Sequence, residues 1–153
     1  MLAIGARAPE FTLPDAQGNP VSLKSLLAHG PLVLYFYPAD FTAGCTREAC
    51  QIRDLYPQIE AAGMQVAGVS PQSPQSHRAF REKYHLPFIL LSDADRCVVR
   101  MYGVRGPLGF GVRRATFLID TAGQIVDAVA ADLRIGVHAR FVSRAASRGS
   151  ASG

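Results

Sequence analysis

Seven consecutive apolar residues, Pro31 to Tyr37 (PLVLYFY), form the longest uninterrupted hydrophobic run of the chain. They are rich in β-branched and aromatic types and show no polar alternation. That pattern predicts a central strand buried on both faces. Pro38 stops the strand, and a loop leads to Gly44. From about Thr46 to Ala62 the apolar positions Ile52, Leu55, Tyr56 and Ile59 fall at helical spacing, with Gly63 as the stop and Pro57 expected to kink or divide the helix.

The flanking pattern has a regular rhythm. Phe11 and Leu13 alternate with Thr12, turn signals follow at Pro14-Asp15 and Gly18-Asn19, and Val21 to Leu23 returns, which predicts a small hairpin. Ser25 to Ala28 is at most a short helix. Met64 to Val69 reads as a strand. Ser73 as cap and Pro74 at the first helical position open a helix to about Tyr84. Phe88 to Leu91 is a strand, and Asp95 caps a helix from Arg96 to Tyr102. A glycine-rich loop, Gly103 to Gly111, precedes the strand Ala115 to Ile119, a turn at Thr121-Ala122-Gly123 and a partner strand, Gln124 to Ala130. A last helix is expected over Val137 to Ala146. Strands alternate with helices, so the expected fold class is α/β: a central mixed sheet flanked by helices on both faces, of thioredoxin-like type, with an N-terminal β-hairpin extension. Residues 1–146 are expected to form one domain, and the Ser/Gly/Arg-rich residues 147–153 a flexible tail.

Composition narrows the class. The 153 residues are 48% hydrophobic and 18% charged, a globular profile. No run reaches the roughly 18–20 apolar residues of a membrane span. The start, Met1-Leu2-Ala3-Ile4-Gly5, lacks a basic region, and Arg7, Pro9 and Glu10 interrupt any apolar one, so a secretory signal is not expected and the cytoplasm is the default. The net charge of +4 is concentrated at the C-terminus, where Arg134, Arg140, Arg144 and Arg148 face the single acid Asp132. Without an aromatic-interleaved basic patch, no nucleic-acid partner is expected. His29, His77, His85 and His138 show no ligand spacing, so neither a metal nor another cofactor is expected.

Three cysteines, Cys45, Cys50 and Cys97, are too few for a disulfide framework. Cys45 follows a buried strand and a loop at the mouth of a helix, where unpaired backbone N–H groups and the helix dipole favour a thiolate. Cys97, in an apolar segment with Val98 and Met101, is expected in the core.

The segment Pro38-x-x-x-Thr42-x-x-Cys45 resembles the active-site pattern of the peroxiredoxin superfamily. The stretches Ala8-Pro9-x-Phe11-x-Leu13-x-Asp15, Phe80-x-x-Lys83-Tyr84-x-Leu86-Pro87-Phe88, Leu91-Ser92-Asp93, Tyr102-Gly103-Val104 and Arg114-x-Thr116-Phe117-Leu118-Ile119-Asp120 follow in family order. The whole, over roughly residues 3–130, is similar to the peroxiredoxin Q, or bacterioferritin comigratory protein, branch. Ala43 departs from the proline many relatives carry there. The resemblance implies a peroxidatic Cys45, a Thr42 hydroxyl offered to thiolate and peroxide, an Arg114 charge beside the sulfur, a pocket wall at Pro38 and a resolving Cys50. Glu48, one turn after Cys45, orients Arg114 or else is an exposed helix glutamate. Of Arg113 and Arg114 only one can face the site, because successive strand residues alternate. The implied activity reduces hydrogen peroxide and organic hydroperoxides, with thioredoxin or a similar dithiol as reductant. A monomer is expected, with a dimer as the alternative. A thioredoxin-type oxidoreductase is the rival redox reading, though its usual Cys-x-x-Cys is replaced by Cys-x-x-x-x-Cys. A binding or holdase-like protein on the same fold is the rival from another class.

Overall fold

The computed structural model describes residues 1–130; the expected helix over Val137 to Ala146 and the tail 147–153 lie outside them. The chain opens with a hairpin of β1 (Thr12–Pro14) and β2 (Pro20–Ser22), in which Leu13 faces Val21. A one-turn helix α1 (Leu23–Leu27) follows, closed by a capping box between Ser22 and Ser25. Five strands then build the main sheet: β3 (Leu32–Phe36), β4 (Gln65–Ser70), β5 (Ile89–Ser92), β6 (Ala115–Ile119) and β7 (Ile125–Ala130), in the spatial order β5-β4-β3-β6-β7. The β5-β4-β3 pairs are parallel and the β3-β6-β7 pairs antiparallel, so the sheet is mixed as expected.

All five residues of β3 are buried, and alternation sends them to two cores. Leu32, Leu34 and Phe36 join a core with α1, the hairpin and α4 (Cys97–Met101). Val33 and Tyr35, with Tyr37 just past the strand end, join one with α2 (Ala43–Ala61) and α3 (Pro74–Tyr84). Helices therefore cover both faces.

Two details differ from the pattern reading. Helix α2 starts at Ala43, three residues early, and runs unbroken through Pro57 for 19 residues. Ile52 and Ile59, on either side of the proline, are both fully buried. Packing on both sides of the missing hydrogen bond offsets its cost of about 3 kcal/mol. The second difference is Cys97, which is exposed rather than in the core. Helix α4 turns Val98 and Val99 inward instead. Its first amides are held by buried Asp93, whose carboxylate accepts from Val98 N (3.2 Å) and Val99 N (2.8 Å), while Asp95 Oδ1 accepts from Cys97 N (3.0 Å). That pairing fixes the rotation of the helix.

Gly68, in the middle of β4, is required by a close approach. A Cβ there would lie 2.8 Å from the ring of Tyr35 and 2.9 Å from Leu90. Both are fully buried, so neither can withdraw. Gly68→Ala is expected to destabilise the fold by about 1–3 kcal/mol, the usual cost of overpacking. Urea unfolding measures it, and a midpoint equal to wild type would show that the Tyr35 face is looser than described.

Candidate active site

The site forms where β3 ends and α2 begins. Thr42 occupies the N-cap position in extended backbone, yet its side chain does not cap the helix; its hydroxyl donates to Ala39 O at 2.9 Å. Cys45 is the third helical residue. Three of the four unpaired N–H groups of the helix start belong to the turn that carries it, so partial positive charge gathers there. The side chain is buried, with the residue 2% exposed.

Topology brings Arg114 to the same point. Strand β6 runs antiparallel to β3 with Ala115 opposite Phe36, so the residue before Ala115 arrives beside the end of β3, where α2 starts. Arg114 Nη2 donates to Cys45 Sγ at 3.3 Å, and Nη1 donates to Glu48 Oε1 at 2.7 Å. Arg113 is exposed, as strand alternation requires. Glu48 lies on the Cys45 face of α2, one turn on, and is 1% exposed, so the exposed-glutamate reading is excluded.

The electrostatics follow from burial. Burial pushes the Glu48 carboxyl up, and the Arg114 charge and hydrogen bond pull it back only in part, to about 7 against an ordinary 4.5. For Arg114, burial works against the charged form, but Glu48 and then Cys45 outweigh it and hold the guanidinium above its ordinary value. The arginine therefore stays charged and its fork is divided between a sulfur and a carboxylate.

The other expected residues are placed differently. Pro38 is exposed two residues past the end of β3, and Cys50 is half-buried on α2. Cys97 sits on α4, across the sheet from Cys45.

Pattern reading missed a buried polar cluster beside the loop. Asp40 Oδ1 accepts from the Tyr37 hydroxyl at 2.6 Å; Oδ2 accepts from Ser76 Oγ at 2.7 Å and lies 2.7 Å from His77 Nδ1. These residues are scattered in sequence, and a single histidine in an amphipathic helix carries no signal of its own. Tyr35 was read only as core. Its hydroxyl is buried without a hydrogen-bond partner among the described residues, and burial, followed by the charges of Glu48 and Cys45, pushes its phenol well up. It stays neutral beneath the site.

Comparison with known proteins agrees with this geometry. Residues 4–128 match the AhpC/TSA family. The chain is 43% identical over 143 residues to a protein of Coxiella burnetii named peroxiredoxin bcp, covering 90% of this chain and 93% of that one. It is 46% identical over 123 residues to the chloroplastic peroxiredoxin Q of Sedum lineare, covering 79% of this chain and 65% of that longer protein. Among solved structures, peroxidoxin BcpB of Mycobacterium tuberculosis superposes with a TM-score of 0.90 at 36% identity, covering 97% and 98% of the two chains. A bacterioferritin comigratory protein of Xanthomonas campestris, described for its alkyl peroxide reduction, superposes with a TM-score of 0.82 at 33% identity and 90% coverage of each. With a buried cysteine at a helix start under an arginine from the neighbouring strand, and with these likenesses along nearly its whole described length, the chain belongs to the AhpC/TSA family, as a peroxiredoxin of the Q or bcp kind.

Proposed function

We propose that this chain is a thiol-dependent peroxidase in which Cys45 attacks hydrogen peroxide and alkyl hydroperoxides and Cys50 resolves the product. The observation that carries the reading is the 3.3 Å contact from Arg114 to Cys45 Sγ at the start of α2. A fixed guanidinium and the first-turn N–H groups favour the thiolate and stabilise charge on the peroxide oxygens. Thr42 gives its hydroxyl proton to Ala39 O, so toward a substrate its oxygen acts as acceptor for the peroxide O–H. Pro38, with its fixed φ, holds the strand-to-loop corner that flanks the approach.

The thiolate attacks the terminal oxygen of the hydroperoxide. An S–O bond forms as the O–O bond breaks. The O–O electron pair departs on the alkoxide, which takes a proton and leaves as alcohol, or as water from hydrogen peroxide. Sulfur is oxidised to sulfenic acid. The Cys50 thiolate then attacks the Cys45 sulfur; the disulfide forms, and hydroxide leaves and is protonated to water. A thioredoxin-type dithiol returns two electrons by exchange. In intact α2, residues five apart have Cα atoms about 8.6 Å apart, beyond the roughly 4.4–6.8 Å a disulfide spans. The first turns of α2 must therefore unwind before the bond closes.

The direct test is NADPH consumption coupled through thioredoxin and its reductase, started with hydrogen peroxide or an organic hydroperoxide. Cys45→Ser should abolish it, and Arg114→Ala should slow the peroxide step by on the order of 100-fold or more. Arg114→Lys should rescue little, since an ammonium cannot hold both sulfur and carboxylate in one plane. Wild-type rates in Arg114→Ala would remove the arginine from the mechanism.

Cys50→Ser is expected to consume one equivalent of peroxide, then stall with thioredoxin and collect sulfinic acid. Peptide mapping of oxidised wild type should give a Cys45–Cys50 link. Normal turnover by Cys50→Ser would pass the resolving role to another thiol.

Glu48 yields a pH prediction. Its folded value, about 7, lies above the ordinary 4.5 of an unfolded chain. The folded state thus binds the proton more tightly, and the stability this contributes is present below the unfolded value and lost as pH rises through about 7. Between about pH 5 and about pH 8, urea midpoints of wild type should fall relative to those of Glu48→Gln, in which this titration is absent. Parallel curves would mean that Glu48 does not titrate in that range.

A further inference from the structure

Unwinding the start of α2 raises the question of where it stops on the upstream side. Three residues before the helix, Asp40 is held by three groups. Its side chain and that of His77 are both 0% exposed, with Oδ2 to Nδ1 at 2.7 Å. The far ring nitrogen of His77, Nε2, lies 3.1 Å from Leu91 O. A carbonyl can only accept, so Nε2 carries hydrogen. The other ring nitrogen, Nδ1, faces Asp40 Oδ2, which also accepts from Ser76 Oγ, while Oδ1 accepts from the Tyr37 hydroxyl. The imidazole thus bridges the loop to β5, and its neighbour on α3 adds a further bond.

The next residue has opposite properties. Phe41 has φ of +65°, a conformation that non-glycine residues seldom adopt. It is 44% exposed, and its ring meets Phe80 edge-on at 5.2 Å and Tyr84 at a tilt at 6.5 Å between centroids, with Lys83 Nζ above it. Thr42 and Ala43 beyond it are exposed. Water can replace what an exposed helix start loses on unwinding. It cannot reach Asp40 and His77, and separating a buried, hydrogen-bonded pair leaves polar atoms without partners in the interior.

We propose that the buried Asp40–His77 pair is the fixed end of the peroxidatic loop, holding the chain up to Asp40 against α3 and β5 in both redox states, so that the rearrangement joining Cys45 to Cys50 begins at Phe41. His77 touches none of the reacting atoms and is a positioning residue: it limits how much chain must be reordered before Cys45 can meet the next peroxide. The inference rests on the resolving role assigned above to Cys50.

The test is nuclear magnetic resonance of the full chain labelled with nitrogen-15 at histidine, reduced and then oxidised with one equivalent of hydrogen peroxide. In the reduced protein the His77 ring N–H signals, identified by through-space contacts to Tyr37, should exchange slowly with water. They should persist in the oxidised protein while the backbone amides of residues 46–50 lose protection. Loss of the ring signals on oxidation would overturn the proposal, since the pair would then open in every cycle. In reduced His77→Gln, exchange of the hydrogen-bonded amides of residues 46–49 should rise by about tenfold, the scale of losing a buried hydrogen bond, with amides of β3 and β6 unchanged. Ser76→Ala, which keeps the buried pair, should give a smaller rise at the same amides and serves where His77→Gln does not fold. Unchanged exchange, or an equal rise in β3 and β6, would also overturn it. Should peptide mapping find no Cys45–Cys50 link, the resolving assignment fails on its own, and the exchange comparison in the reduced protein still decides whether the pair anchors the loop.

Discussion

The guanidinium of Arg114, held between Cys45 and Glu48, is the contact on which the site depends. It is possible because β6 lies antiparallel to β3, which delivers a residue 69 positions away to the start of α2. A parallel neighbour would present its other end. The core residues of β3 and β6, all buried, thus act on the chemistry by fixing where one cation stands.

Burying that cation has a consequence. Arg114 is 6% exposed and cannot be neutralised, so its environment must supply negative charge. Glu48 provides it at Nη1, and the Cys45 sulfur faces Nη2. Because burial raises the Glu48 carboxyl to about 7, the glutamate holds its charge less firmly than a surface carboxylate would.

In the mechanism proposed above, peroxide attack and disulfide closure make opposite demands. Attack by Cys45 would need it buried in the first turn of a formed helix; closure with Cys50 would need that turn undone, because helical geometry keeps residues five apart too distant. The fold separates these demands in space. Ile52, Ile59 and the Arg53 guanidinium bond to Tyr84 O at 2.8 Å hold the later part of α2 to the sheet and α3. The first two turns rest on Cys45, Glu48 and Ala49.

Much of this was legible in the chain itself. The unbroken run Pro31 to Tyr37 could only be a doubly covered strand, and the alternation of strand and helix patterns followed from local periodicity. Cys45, Thr42 and Arg114 were found by short-range motif, and the choice of Arg114 over Arg113 by strand alternation, all of which act over a few residues. What escaped depends on contacts between distant segments. The two branches open for Glu48 were separated only when its burial against Arg114 was known. Cys97 looked internal by its neighbours, but the rotation of α4 was set by Asp93, held near Ser70 of β4 through its backbone N–H. The Asp40–His77 contact joins a loop to a helix 37 residues later. Periodicity determines which face of an element is apolar; only packing decides which polar side chains are taken inside with it, because their cost is met by partners that the local sequence does not contain.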